Sequence, residues 1–139
     1  YPSFEEEVQI LKTTTTDQTI EVEKILEIQD ILDIQTLIKQ VPVSDNVYNY
    51  VVGLVAKTRR NGSQIANKYL QWGAGPRASQ YLIMGAKAHA VLNGKYSPDI
   101  EDVNAIAVAT LRHRIVLNYE AQANGYTTET IIKELINIK

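Results

Sequence analysis

Residues 72–79 read WGAGPRAS, and in this stretch one segment of the chain ends and a helix begins. Pro76 has no backbone N–H, so it fits the first helical turn, where N–H groups have no partner within the helix. Residues 78–92 then carry apolar side chains at helical spacing. Arg77 therefore falls in the first turn, where the positive end of the helix dipole repels a cation by about 0.3–1 kcal/mol.

A cation in that position breaks a local electrostatic rule, and such residues are candidates for function. The backbone N–H groups at a helix start attract anions, and a guanidinium binds phosphate through paired hydrogen bonds. We therefore interpret Pro76, Arg77 and Ala78, which open the helix, as a phosphate contact.

The bulk properties describe one ordinary globular domain. The 139 residues are 45% hydrophobic and 22% charged, and they include no cysteine. Disulfides and thiolate metal sites are thereby excluded, and a reducing cytoplasm is the expected location. No apolar run approaches the roughly 18 residues of a membrane span, so we expect no membrane partner.

The motifs of several enzyme classes are missing. The chain has no G-x-x-x-x-G-K-[ST] phosphate loop, no recognisable nucleophile with its base, and only two histidines as metal ligands. We therefore expect no metal site and no hydrolysis by this chain alone. If Arg77 contacts a phosphate, the rest of the nucleotide site must come from outside the 139 residues.

Charge is unevenly distributed along the chain. Residues 57–98 hold seven bases and no acid, although the net charge is −2. This basic block indicates an anionic partner, or alternatively a block that the acidic residues 1–56 balance in the fold. A helical nucleic-acid-binding or protein-interaction module using residues 57–95 is the second functional hypothesis. Nucleic acid is the weaker partner, because the bases are not interleaved with aromatic residues on one helix face.

Helical periodicity dominates the chain and predicts a small, mainly α bundle. About five or six helices are expected to begin near residues 3, 25, 45, 76, 99 and 127. Ser3 with Glu6, and Ser97 or Asp99, are predicted caps, and Gly94 is predicted to end the helix that Pro76 begins. The alternation at Ile20 and Val22 predicts a short strand, and one short strand pair is the most we expect.

Several side chains in the second half of the chain are predicted to be buried. Trp72 is interpreted as a core anchor, with base stacking as the alternative. Tyr81 or Leu82 falls on the predicted apolar stripe of their helix, and so does Leu92. His89 lies on or near that stripe, and a hydrogen-bonded core histidine is favoured over a ligand. Small residues around Gly85 predict close packing against another helix.

The stretch GAGPRAS at 73–79 resembles the GASPRAS segment of MoxR-type AAA+ ATPases. Further motifs of that family match in order over nearly the whole chain, at residues 43–45, 50–52, 58–59, 86–95, 101–103 and 111–115. Gly75 replaces the usual serine, which loosens the helix cap but keeps the turn.

The resemblance implies that residues 1–139 are a single AAA+ lid domain of the magnesium chelatase and MoxR type, separated from its P-loop core. Arg77 matches the family's sensor 2 arginine, which touches the γ-phosphate and couples nucleotide state to lid position. ATP and Mg²⁺ would be bound mainly by the core, and neither is expected on the fragment alone.

The resemblance also implies partners. The lid would contact the AAA+ core of its own or a neighbouring subunit in a ring, expected to be a homo-hexamer. Such rings are linked to chaperone-like assembly of complexes, often beside von Willebrand A-domain proteins. Arg59, Arg112 and Arg114 are candidate domain or subunit contacts. For the last two, a favourable cation cluster at a helix C-terminus is the simpler interpretation.

Overall fold

The computed structural model describes residues 1–17 and 23–138 as two compact units, residues 1–31 and 32–139. The first unit contains α1, Phe4–Thr14. Its predicted cap is confirmed, because the Ser3 hydroxyl accepts from the Glu6 N–H at 3.3 Å and the Glu6 carboxylate accepts from the Ser3 N–H at 2.7 Å. The strand predicted at Ile20 and Val22 lies outside the described residues.

The second unit is helical with one short strand pair, which confirms the predicted fold class. This unit begins within α2, Ile28–Gln40. The elements after α2 are, in chain order, α3 (Asp45–Lys57), α4 (Gln64–Tyr69), β1 (Leu70–Trp72), α5 (Pro76–Leu92), α6 (Ile100–Leu111), β2 (Val116–Leu117), α7 (Tyr119–Ala123) and α8 (Thr128–Asn137). The two strands pair antiparallel. Across the described ranges, no helix is both long and apolar enough to cross a membrane.

The described residues form eight helices, and two of them were not predicted from the spacing of apolar residues. Helices α4 and α7 have only six and five residues, which is too short for a 3.6-residue pattern to show. Each is started by a cap instead. The Ser63 hydroxyl accepts from the Ala66 N–H at 3.0 Å, and the Asn118 side chain accepts from the Ala121 N–H at 2.9 Å.

The core of the second unit lies among α3, α5, α6 and α8. Helical spacing predicts a buried stripe along α3 made of Val47, Tyr50, Val51, Leu54 and Val55. Four of these residues are buried, and Tyr50 is partly buried. Helices α5 and α6 approach closely at Gly85, where an added Cβ would lie 3.1 Å from Ile106 Cδ1. The close packing predicted from the small residues of α5 is therefore also confirmed.

The stripe predicted for α5 is confirmed at Leu82 but was wrong at Tyr81 and Leu92. Tyr81 is 56% exposed and Leu92 is 85% exposed. The buried face carries Ala78, Leu82, Ala86, Lys87 and Ala90. Because close helix packing leaves little room between backbones, alanines occupy much of this face, and Tyr81 and Leu92 lie outside it.

Two glycines with open space around them separate the effect of backbone conformation from that of packing. Gly94 follows α5 with φ +73°, whereas Gly53 lies inside α3, and an added Cβ would meet nothing within 4 Å at either position. We expect Gly94→Ala to lower the free energy of unfolding by about 1 kcal/mol, because alanine resists positive φ. Gly53→Ala should raise it by about 0.5–1 kcal/mol. Denaturant titration measures both, and equal effects would contradict the argument.

Candidate functional site

Arg77 lies in the first turn of α5, as predicted. Pro76 is the first helical residue, and the N-cap residue Gly75 makes no side-chain cap bond. The Arg77 side chain is exposed, and the described residues offer it no hydrogen bond or ion pair. The Ala78 N–H donates to the Gly75 carbonyl at 2.9 Å. Of the three predicted phosphate-contact residues, only Arg77 therefore presents donors outward, since Pro76 has no N–H.

The loop before Arg77 is fixed at Ala74 by the end of α3. The buried Thr58 hydroxyl accepts from the Ala74 N–H at 2.9 Å and donates to the Val55 carbonyl at 2.7 Å. Arg59 Nε donates to the Ala74 carbonyl at 3.0 Å. Both polar backbone groups of one loop residue are thus bound by consecutive residues of another segment. We call Thr58, Arg59, Gly73 and Ala74 the loop clamp.

Glycine is required at position 73 by the closeness of this contact. A Cβ added there would lie 2.2 Å from the Thr58 carbonyl oxygen, well inside any permitted separation. The glycine at the start of the motif therefore lets the loop lie directly on the end of α3. This contact fixes the segment that leads to Arg77 relative to the end of α3.

Trp72 is not a core residue, which corrects the prediction. It is 66% exposed and ends β1, where it pairs with Val116 of β2. The register of the strand pair shifts between Leu70 and Trp72, so regular alternation does not place Trp72 beside Leu70 and Leu117, which pack against the core.

The three arginines predicted as domain or subunit contacts lie in different surroundings. Arg59 belongs to the loop clamp. Arg112 lies 3.6 Å from Glu129, and both side chains are well exposed, so this pair contributes little stability. Arg114 donates from Nε to the Thr110 carbonyl at 3.1 Å and stacks over the Tyr81 ring at 4.6 Å. Their contacts outside the chain stay a prediction.

The guanidinium of Arg114 stacks on Tyr81, which lies on the same face of α5 as Arg77. Residues four positions apart on a helix are neighbours, so Tyr81 lies one turn after Arg77 on the same face. The guanidinium of Arg114 on the Tyr81 ring therefore adds a second positive charge to the face that carries Arg77.

The basic block of residues 57–98 does not form a continuous free surface. Lys57 Nζ donates to the Ile138 carbonyl at 2.5 Å, and Lys68 Nζ lies 4.9 Å from the centre of the Tyr69 ring. Lys87 is buried and donates to the Lys39 carbonyl at 2.9 Å, at the end of α2. Lys95 and Arg59 also have internal partners. Within the described part of the chain, this leaves Arg60 and Arg77 as the unpartnered bases of the block.

A buried carboxylate, Asp102, joins the end of α5 to the start of α6. It accepts from the Asp99 N–H at 2.9 Å, from His89 Nδ1 at 2.8 Å and from Lys95 Nζ at 3.1 Å. Burial raises the pKa of Asp102, but the bonds from Asp99, His89 and Lys95 outweigh it and lower the pKa to about 2. Asp99 itself caps α6, as predicted.

His89 is hydrogen-bonded, as predicted, but its side chain is only partly buried. Asp102 was not predicted to be a buried, hydrogen-bonded carboxylate. The available signal was the spacing of Asp99 and Asp102, which form a capping box at the start of α6. Within residues 1–17 and 23–138, no three histidine, aspartate or glutamate side chains gather in a geometry that could hold a metal ion.

The sequence model of the AAA lid domain family matches residues 62–135, which is more than half of the chain. The "Chaperone MoxR1" of Mycobacterium tuberculosis is 31% identical over 139 residues, which cover 98% of this chain and 37% of that protein. The chain is an AAA lid domain of the MoxR family.

Two further matches agree with this assignment. An uncharacterised protein of Bacillus subtilis, YeaC, is 32% identical over 99% of the lid and 41% of that protein. The crystal structure of a candidate ATPase from Cytophaga hutchinsonii superposes with a TM-score of 0.83 at 33% identity, covering 98% of the lid and 42% of that chain. The lid therefore spans about two-fifths of the length of the relatives it matches.

Proposed function

We propose that this lid senses the nucleotide bound by an AAA+ core that lies outside the 139 residues. The observation that carries the proposal is Arg77, an exposed arginine in the first turn of α5 that has no partner among the described residues. It follows a loop that is held by the loop clamp. An arginine fixed by its backbone but free at its guanidinium is suited to bind a phosphate presented from another domain.

The physical role of Arg77 follows from the chemistry of ATP. The γ-phosphate leaves on hydrolysis, so an arginine that binds it favours only one nucleotide state. A ligand shifts a conformational equilibrium only by its difference in affinity for the two states. A charge-assisted pair of hydrogen bonds supplies about 1.5–3 kcal/mol, which is enough to move a nearly balanced lid between two positions.

In this proposal, the lid and its core would contact different parts of the nucleotide. The Arg77 guanidinium fits a phosphate, whereas the described residues provide no group of carboxylates for Mg²⁺. From the family we infer that ATP and Mg²⁺ would be held mainly by the core, with Arg77 as the phosphate contact of the lid. Pro76 fixes the helix start and Ala78 anchors it in the core of the second unit.

The assembly is proposed from the family. The lid would work in a cytoplasmic ring, with six subunits expected, against the core of its own or a neighbouring subunit. The ring would couple ATP binding and hydrolysis to chaperone-like remodelling or assembly of a partner complex, with von Willebrand A-domain proteins as candidate partners. One relative named as a chaperone supports this. Arg112 and the Arg114–Tyr81 stack, both on the surface, are candidates for the subunit contact.

The sensor role predicts a kinetic defect for Arg77→Ala in the full-length protein. We expect ATP to bind but turnover to fall at least tenfold, because the contact to the γ-phosphate is lost. Arg60→Ala is the matched control, since Arg60 is the other unpartnered arginine of the basic block, and it should retain turnover within twofold. Steady-state ATPase assays and ATP binding measure both variants. Wild-type turnover in Arg77→Ala would refute the sensor role.

A further inference from the structure

One end of the strand pair presents an exposed apolar surface beside the Arg77 loop. Trp72 and Val116 are cross-strand partners, and they are 66% and 46% exposed. We call this pair the ribbon face. Tryptophan is the residue most enriched at the centres of protein interfaces, because it buries a large area at little cost in side-chain entropy.

The ribbon face is held rigidly from both sides. At one end, the Asn118 N–H donates to the Tyr69 carbonyl at 2.9 Å, and Asn118 Nδ2 donates to the Lys68 carbonyl at 2.6 Å. At the other end, Gly73 follows Trp72 directly and lies against the Thr58 carbonyl. A surface that is already ordered loses little conformational entropy on binding, so it is well suited to docking.

The ribbon face also lies close to Arg77 along the chain. Trp72 precedes Arg77 by five residues, so their Cα atoms are at most about 17 Å apart even if the loop were fully extended. A standard protein interface covers about 800 Å² per partner, which is a disc of about 16 Å radius. Such a disc is about 32 Å across, so an interface of that size that includes Arg77 is wide enough to include Trp72 as well.

We propose that the ribbon face is a docking surface for the ATP-bearing AAA+ core whose phosphate Arg77 contacts. The inference rests on the proposed function and adds to it a nonpolar anchor beside the charged contact. The relatives are more than twice as long as the lid, so a further domain is available to cover this surface. Trp72 would then fix where the core lies, while Arg77 reports the state of its nucleotide.

Trp72 is the single tryptophan of the lid, so its fluorescence tests the proposal directly. The full-length protein is prepared with any other tryptophan replaced by phenylalanine and saturated with Mg²⁺ and a non-hydrolysable ATP analogue. A reporter variant carries Trp72→Phe and Tyr96→Trp. Tyr96 is 94% exposed and lies beyond the far end of α5, whose residues 77–92 span about 22 Å.

We expect acrylamide to quench Trp72 at least threefold less than the reporter at position 96, with emission at a shorter wavelength. Equal quenching would overturn the docking proposal. In ATPase assays, Trp72→Ala should lower kcat/KM for ATP about fivefold, Trp72→Phe should restore most of it, and Tyr96→Ala should leave it unchanged. Equal losses for Trp72→Ala and Tyr96→Ala would also overturn it. Because Arg77→Ala tests the sensor role alone, a failure of the docking proposal is distinguished from a failure of the sensor role.

Discussion

Asp102→Asn is expected to lower the free energy of unfolding by about 3 kcal/mol and the melting temperature by about 10 °C. The carboxylate is buried and accepts bonds from Asp99, His89 and Lys95. An asparagine has one acceptor oxygen in place of two and no charge. It therefore leaves at least one of these donors without its partner, and the junction between α5 and α6 weakens.

The matched control is Glu101→Gln, which removes a negative charge from the same first turn of α6. Glu101 is exposed, so its substitution should cost less than about 1 kcal/mol, mainly through the helix dipole. Denaturant titration of both variants measures the difference. A similar small effect for both would show that the Asp102 cluster does not stabilise the fold.

The same carboxylate predicts how stability depends on pH. The folded protein holds the pKa of Asp102 at about 2, below the ordinary value of 3.8, so the folded state binds this proton less readily than the unfolded state. The stabilisation is therefore fully present above about pH 4 and is lost as the pH falls toward 2. The difference between these two pKa values corresponds to about 2 kcal/mol in the free energy of unfolding. Unfolding curves at pH 6 and pH 2.5 should show this loss in the wild type and a smaller one in Asp102→Asn.

The features that could be predicted from the sequence are those set by neighbouring residues. Caps at Ser3 and Asp99, the glycine end of α5 and the stripe of α3 each depend on residues within four positions of one another. Arg77 was found in the same way, because its conflict with the helix dipole is local. Several helix boundaries, one buried helix face and the candidate sensor Arg77 could therefore be predicted from residues close together in the sequence.

The features that could not be predicted depend on contacts between distant parts of the chain. Thr58 and Ala74 are sixteen residues apart, and nothing in either segment indicates that a hydroxyl will bind that N–H. Trp72 was wrongly predicted to be buried because large aromatic residues usually are, whereas it lies beyond a register shift in the strand pair and is exposed. Exposure of Trp72 is a property of the tertiary structure.

Thr58→Val is expected to lower the free energy of unfolding by about 2 kcal/mol. Valine has nearly the shape of threonine, so the change removes hydrogen bonds without opening a cavity. The Ala74 N–H, which is buried with its residue, loses the Thr58 oxygen that accepts from it at 2.9 Å. A buried N–H left unpaired costs about 1–3 kcal/mol. Thermal and denaturant unfolding measure this loss.

Two threonine variants isolate the hydroxyl of the loop clamp. Thr58→Ser keeps the hydroxyl and should cost only the buried methyl group, about 0.8 kcal/mol. Thr36→Val removes an exposed hydroxyl that bonds within its own helix, to the Leu32 carbonyl at 3.0 Å, and should change stability by less than about 0.5 kcal/mol. A Thr58→Val protein as stable as Thr58→Ser would contradict the role given to the hydroxyl.

The loop clamp is also expected to affect ATP turnover, because it holds the loop that leads to Arg77. In the full-length protein, Thr58→Val should lower ATP turnover about fivefold at a temperature where the protein is still folded, because the loop that leads to Arg77 is no longer fixed at Ala74. Thr58→Ser should restore turnover, since it returns the acceptor for the Ala74 N–H. A defect that follows only the unfolded fraction would mean that Thr58 stabilises the lid without positioning Arg77. A defect in the folded protein that serine reverses would separate positioning from stability.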